Sequence, residues 1–246
     1  MLFLTNSAEG GVDGVTVDIT NTGGLSGNIF TNTNTTNATS VFTVTNPLRG
    51  KTSIVGATSA TAGSYYFGYC SGTDVATLYS RAYLSIAAAP SAPMGLVKYV
   101  DGAGTAHKVG VAVNASRLLV GFDVNGTLTT PTGSVAIPTN QTVRLETKVV
   151  GGSPSGSVEW KLYLTPSSTG TPDETVTLSP VNTGTSTTGG IWWGHSGWPL
   201  SAIANLPATR FDDLVLTDIG YPGPSLDIPR ANSFTLNQAV NRSYTY

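Results

Sequence analysis

The sequence predicts an all-β fold, two antiparallel sheets closed into a sandwich. Three observations predict it. Apolar and polar residues alternate in short runs, Gly/Pro/Asn turns separate the runs at fairly even spacing, and no long stretch shows a 3.6-residue apolar period. The clearest run is 142–149. Val143, Leu145, Thr147 and Val149 share one face, and Thr142, Arg144, Glu146 and Lys148 share the other. A period of two marks a strand with one wet face. The next run repeats it: Val158, Trp160, Leu162 and Leu164 alternate with Glu159, Lys161 and Tyr163. The string Gly151-Gly152-Ser153-Pro154-Ser155-Gly156 between them is turn-forming. Together they predict a β-hairpin.

The other elements follow in order. Val15, Val17 and Ile19 alternate near the start, and 41–45, 81–86, 109–113 and 117–124 read as strands. Asn125-Gly126 signals a tight hairpin turn. Runs at 175–178, 191–193 and 211–219 complete the set. Ala87-Ala88-Ala89 is stopped by Pro90, so it makes at most one helical turn. Residues 1–40, rich in Asn, Thr and Gly, predict an N-terminal arm or edge strands, and 41–222 the body of the sandwich. Residues 223–246 follow a Gly/Pro-marked linker and predict a tail. Its Ile228, Phe234, Leu236 and Val240 suit docking on a partner.

Composition narrows the function classes. A chain of 246 residues can bury a sizeable core without cross-links, and a single cysteine, Cys70, permits no disulfide within it. Only 11% of residues are charged, against about 25% in an average domain. Thr, Ser, Asn and Gly fill the deficit. A net charge of −2 with no basic block offers phosphates nothing to bind, so nucleic acid is not an expected partner. No window reaches the ~18 apolar residues of a membrane helix, and no membrane insertion is expected. Met1-Leu2-Phe3-Leu4 lacks the length and positive charge of a signal peptide, so synthesis in the cytoplasm is expected.

Phe211-Asp212-Asp213-Leu214-Val215-Leu216-Thr217-Asp218, followed by Gly220, resembles the last strand of concanavalin-like, laminin-G-like jelly rolls, which commonly reads aromatic-Asp-Asp-apolar. The run 80–86 resembles their early core strand, and 142–146 with 158–163 their central hairpin. The resemblance spans about 41–222 and implies a jelly roll. In style, the charge-poor composition is also similar to minor tail proteins of tailed phages of actinobacteria. That resemblance implies a non-catalytic structural protein of the virion, a homo-oligomer in a symmetric particle. Its partners would be other virion proteins and cell-surface polysaccharide. A capsid decoration protein is one alternative. A free carbohydrate-binding lectin or glycoside-active enzyme is another.

Candidate chemistry is sparse. Glycoside hydrolysis needs two nearby carboxylates, and the superfamily's Glu-x-Asp-x-x-Glu pattern is absent. Glu9, Glu146, Glu159 and Glu174 are scattered. Glu146 and Glu159 could face each other across the hairpin, but each also fits a solvated strand face. No catalytic residue is therefore predicted. Asp212 and Asp213 are neighbours, so they point to opposite faces unless a bulge intervenes. They are the candidates for calcium, which needs six or more oxygens; no other cofactor is expected. His107 and His195 are not spaced as metal ligands. The most suggestive stretch is Ile191-Trp192-Trp193-Gly194-His195-Ser196-Gly197-Trp198-Pro199, because aromatic faces stack on sugar rings. Trp198, Trp193, Trp192 and His195, with Tyr221, are the candidate glycan contacts. Alternation turns Trp192 and Trp193 to opposite faces, so one of them is expected in the core.

Overall fold

Fourteen strands form in the computed structural model, which describes residues 2–197 and 199–225. They are β1 (Leu2–Asn6), β2 (Asn32–Thr36), β3 (Ala38–Thr43), β4 (Ser53–Thr58), β5 (Ser64–Val75), β6 (Thr77–Ile86) and β7 (Met94–Val100). Then come β8 (His107–Val113), β9 (Leu119–Phe122), β10 (Val143–Val150), β11 (Gly156–Tyr163), β12 (Glu174–Val181), β13 (Thr188–Trp193) and β14 (Thr209–Thr217). The first sheet has eight strands in the order β12-β11-β10-β6-β14-β4-β3, with β1 also paired to β14. The second has six, in the order β2-β5-β13-β7-β8-β9. Every strand pairing is antiparallel. The two-sheet jelly-roll class expected from the sequence is the class observed.

The hairpin at 142–164 forms as β10 and β11 in continuous register, from Arg144 opposite Tyr163 to Val150 opposite Ser157. The segment holding Val15, Val17 and Ile19 departs from expectation. It makes only an isolated bridge, Thr16 to Val41, although Val17 N–H donates to the Ser40 carbonyl and Phe42 N–H to the Val15 carbonyl. Val17 is buried while Val15 and Ile19 are exposed. The segment lies along the outer edge of β3 and consumes hydrogen-bonding groups that an edge strand would otherwise present to other chains. Residues 2–40 also supply β1, which joins the first sheet beside β14, and β2 at the rim of the second.

Between the sheets lies a dry core built from the inward positions. Phe67 centres one part of it, 5.3 Å from the Phe30 ring and edge-on to Phe211 at 5.4 Å. Trp160 and Trp193 are fully buried. One polar pin crosses the interior: the Tyr99 hydroxyl on β7 meets Thr147 Oγ1 on β10 at 2.7 Å, and Thr147 Oγ1 meets Ser80 Oγ on β6 at 2.6 Å. All three hydroxyls are thereby satisfied, so the network fixes how the sheets are set against each other instead of weakening the core. Burial pushes the Tyr99 phenol up to about 12, which keeps it a neutral donor at any ordinary pH.

Candidate functional site

The outer face of the first sheet gathers the chain's scarce charge. Directly paired antiparallel residues share a face, so the register sorts side chains into rows. One row runs Tyr163, Arg144, Tyr83, Asp212; the next Lys161, Glu146, Arg81, Val215; the third Glu159, Lys148, Tyr79, Thr217. With Arg49 and Arg210 at the margin, six of the 12 Lys and Arg residues lie here. Glu146 stands opposite Lys161, and Glu159 opposite Lys148. The two glutamates therefore do not face each other across the hairpin, because each is paired with a lysine. Arg144 and Glu146 form an ion pair at 3.2 Å, both almost fully buried, with the Arg144 guanidinium 3.7 Å from the Tyr163 ring centre. Burial raises the Glu146 carboxyl, and Arg144, Arg81 and Lys161 pull it back.

The centre of this face is built by a bulge. The β14–β6 register shifts between Asp212 and Val215, and Asp213 adopts a φ of 45°. The extra residue makes two neighbouring carboxylates serve one site. Asp212 Oδ2 accepts from the Arg49 amide at 2.9 Å and from Ser53 Oγ at 2.8 Å. Asp213 Oδ2 accepts from Arg49 Nε at 3.1 Å and from Ser225 Oγ at 2.7 Å. Burial, and then Asp213, push the Asp212 carboxyl up to about 8, against the donors that favour its charged form. The guanidinium carbons of Arg49 and Arg81 lie 4.7 and 5.5 Å from the Tyr83 ring centre. Arg81 donates from Nε to the Asp213 carbonyl at 3.2 Å and from Nη1 to the Gly223 carbonyl at 3.0 Å.

Two clefts meet at Arg81. One, of about 270 Å³, is walled by Asn6, Ser7, the turn around Gly24–Ser26 and Asp213. The other, of about 400 Å³, is walled by Val215, Ile219, Tyr221 and Pro222. Thr5 and Arg81 line both. The lining thus has a guanidinium common to both clefts, hydroxyls and the Asp213 carboxylate on one wall and apolar surface on the other.

The residues singled out in the sequence are divided between the two sheets. Tyr221 lies on this outer face. Its hydroxyl donates to Glu159, its ring meets Tyr79 edge-on, and Lys161 Nζ sits 3.8 Å over it. Trp192 projects from the second sheet, stacked on Tyr66 at 4.1 Å, with Lys98 Nζ 4.2 Å over its ring and His107 edge-on at 5.4 Å. Burial pushes the Lys98 ammonium down to about 7. Trp193 is the core member of the pair, against Phe30. Trp198 lies outside the described residues. Among those described, no three His, Cys, Asp or Glu gather where a metal ion could be held. Of the oxygens considered for calcium, Asp212 Oδ2 and Asp213 Oδ2 are engaged by Arg49, Ser53 and Ser225, and Asp212 Oδ1 by the Asp213 amide. No helix among the described residues is long and apolar enough to cross a membrane.

His195 is buried and holds its loop to β7. The Gly95 amide donates to Nδ1 at 3.1 Å, so the proton sits on Nε2, which donates to the Ser201 carbonyl at 3.0 Å. Burial pushes its pKa from the ordinary 6.5 down to about 4. Between these values the unfolded chain takes up a proton that the folded chain refuses, so stability is lost as pH falls through that window. The loss from this residue is at most about 3 kcal/mol. Urea titrations between pH 7 and 4 should show a flatter decline for His195→Gln than for the parent. An identical decline would contradict this role.

No protein-family model matches the sequence, and no curated protein matches it. Solved structures of similar fold are found. An endo-β-1,4-glucuronan lyase from the fungus Trichoderma reesei superposes with a TM-score of 0.55 at 11% identity, covering 92% of this chain and 96% of that one. The cellulose induced protein Cip1 gives 0.54 at 14%, over 87% and 96%. The alginate lyase vAL-1 from Chlorella virus gives 0.51 at 10%, over 75% and 91%. At these identities the likeness is one of fold. It nevertheless overturns the expectation of a chain without catalytic chemistry. That expectation rested on the lack of a paired-glutamate hydrolase pattern. Two similar structures are polysaccharide lyases, and elimination does not require such a pair.

Proposed function

We propose that this chain is a polysaccharide-active protein whose substrate carries carboxylates, held along the outer face of the first sheet with Arg81 as its anchor. The observation that carries this reading is Arg81 at the junction of two clefts, on the face that carries six of the 12 Lys and Arg residues of a charge-poor chain. A guanidinium matches a carboxylate in shape and charge. Pairing the substrate carboxylate with Arg81 makes the adjacent sugar C–H more acidic. Removal of that proton moves its electron pair into a new C=C bond and breaks the C–O bond beyond it, and the leaving oxygen takes up a proton. Tyr83, whose ring lies beside the Arg81 guanidinium, is the group placed to move the proton. Glucuronan and alginate, named for two proteins of similar fold, are both uronic-acid polymers. On a phage particle, the setting that the resemblance to minor tail proteins implies, repeated copies of this face would tether the particle to acidic cell-surface polysaccharide with avidity.

Incubation with glucuronan, alginate and a neutral β-glucan tests the proposal. Unsaturated uronate, read by its ultraviolet absorbance, is expected from an acidic polymer only, with binding that weakens as salt rises. Equal binding to the neutral glucan, or none to either acidic polymer, would contradict it.

A further inference from the structure

The smaller cleft at Arg81 is the open part of a longer face, and the larger one is walled on one side by residues 219–222. The rest is crossed by the segment that follows β14. From 218 to 225 the chain turns back over β14, β6, β10 and β11 and covers the charged rows. Its attachments are mostly polar. The Gly223 carbonyl takes Arg81 Nη1 at 3.0 Å, and the Gly223 amide favours the Glu146 carboxylate. The Ser225 amide donates to the Tyr83 hydroxyl at 2.9 Å, and Ser225 Oγ to Asp213 at 2.7 Å. Tyr221 donates to Glu159.

The outward side of the segment is not packed. A Cβ built at Gly220 or Gly223 would meet no atom within 4 Å, and Ile219 is 77% exposed. Arg81, Tyr83, Arg144 and Glu146 are nonetheless almost fully buried. Polar groups under a loosely packed segment are costly to cover unless each has a partner, and here peptide groups and a serine provide some of those partners. A carbonyl on a guanidinium and a hydroxyl between a tyrosine and a carboxylate are also what a uronate sugar would present to the same atoms.

We propose that residues 218–225 form a displaceable strap that occupies the substrate's positions, and that a bound polysaccharide exchanges with it to open the face across β6, β10 and β11. This rests on the reading of Arg81 and Tyr83 as the site. Because the competent state is only a fraction of the population, apparent affinity is reduced by that fraction. Weakening the strap should therefore tighten binding.

The test uses the full chain, a glucuronan oligosaccharide as probe, and two variants that spare Arg81 and Tyr83. Tyr221→Phe removes the bond to Glu159, and Ser225→Ala removes the bond to Asp213. Each is expected to bind the probe about fivefold tighter, one net hydrogen bond's worth. In the parent, saturating probe should speed amide exchange at 219–225. If the probe binds all three chains equally and slows exchange there, the strap is wrong while the site stands. If it binds none of them, both are wrong.

Discussion

Methionine in place of Arg81 is expected to lower affinity for an acidic polysaccharide by about ten- to a hundredfold. Methionine keeps most of the apolar stem and removes the charge. A hydrogen bond to a charged group contributes about 1.5–3 kcal/mol, which sets that range. The substitution also gives up the bonds to the Asp213 and Gly223 carbonyls, so thermal stability must be measured beside affinity. Arg81→Lys separates charge from shape. It keeps the cation but loses the planar fork, and an intermediate loss is expected. Calorimetric titration with the oligosaccharide reads both variants. Unchanged affinity in a folded Arg81→Met chain would remove Arg81 from the site.

Trp160→Ala is expected to destabilise the fold by about 3–5 kcal/mol, the range for truncating a large buried aromatic. Trp160 is fully buried on β11, between Thr147 of β10 and Val176 of β12. Its Nε1 donates to Glu174 Oε2 at 3.1 Å. Glu174 Oε1 also takes the Ser134 amide and, at 2.9 Å, the Val135 amide, so one buried carboxylate ties the loop at 133–135 to β12. The substitution leaves a cavity and removes one donor from a buried acid, and the two costs add. For a chain of this size the melting temperature should fall by about 10 °C. Glu174→Gln, which keeps the volume but weakens the bonds, should fall less. Scanning calorimetry distinguishes them, and a loss below about 1 kcal/mol for Trp160→Ala would contradict this account of the core.

The elements legible in the sequence are those in which apolar and polar residues alternate, even where, as on β10, the polar face expected to be wet is largely covered. β10 and β11 could be read because Val143, Leu145 and Val149 alternate with Arg144, Glu146 and Lys148. β7 could not, since every residue from Met94 to Val100 is buried and no alternation is left to see. β5 was hidden by Gly68 and Gly72, which interrupt its outer positions. The bulge at Asp213 is the exception left open for the two neighbouring aspartates, and it forms; a period of two allows such an insertion without signalling it.

The candidate site was legible only in pieces. The tryptophan stretch drew attention through residue type, yet Trp193 fills the core and His195 secures a loop. Tyr79, Arg81 and Tyr83 alternate with Ser80, Ala82 and Leu84 on one strand. In a chain only 11% charged, three strands with charged faces are the signal from which this surface could have been found, but strand order, which supplies the rows, is not written in the sequence.

The most direct test is a crystal structure of the chain with a short oligouronate bound. Sugar density should lie across β6 and β14, one carboxylate against the Arg81 guanidinium, with residues 218–225 moved off β10 and β11. Density on the second sheet beside Trp192 and Tyr66, with Arg81 still bonded to the Gly223 carbonyl, would contradict the assignment of this face.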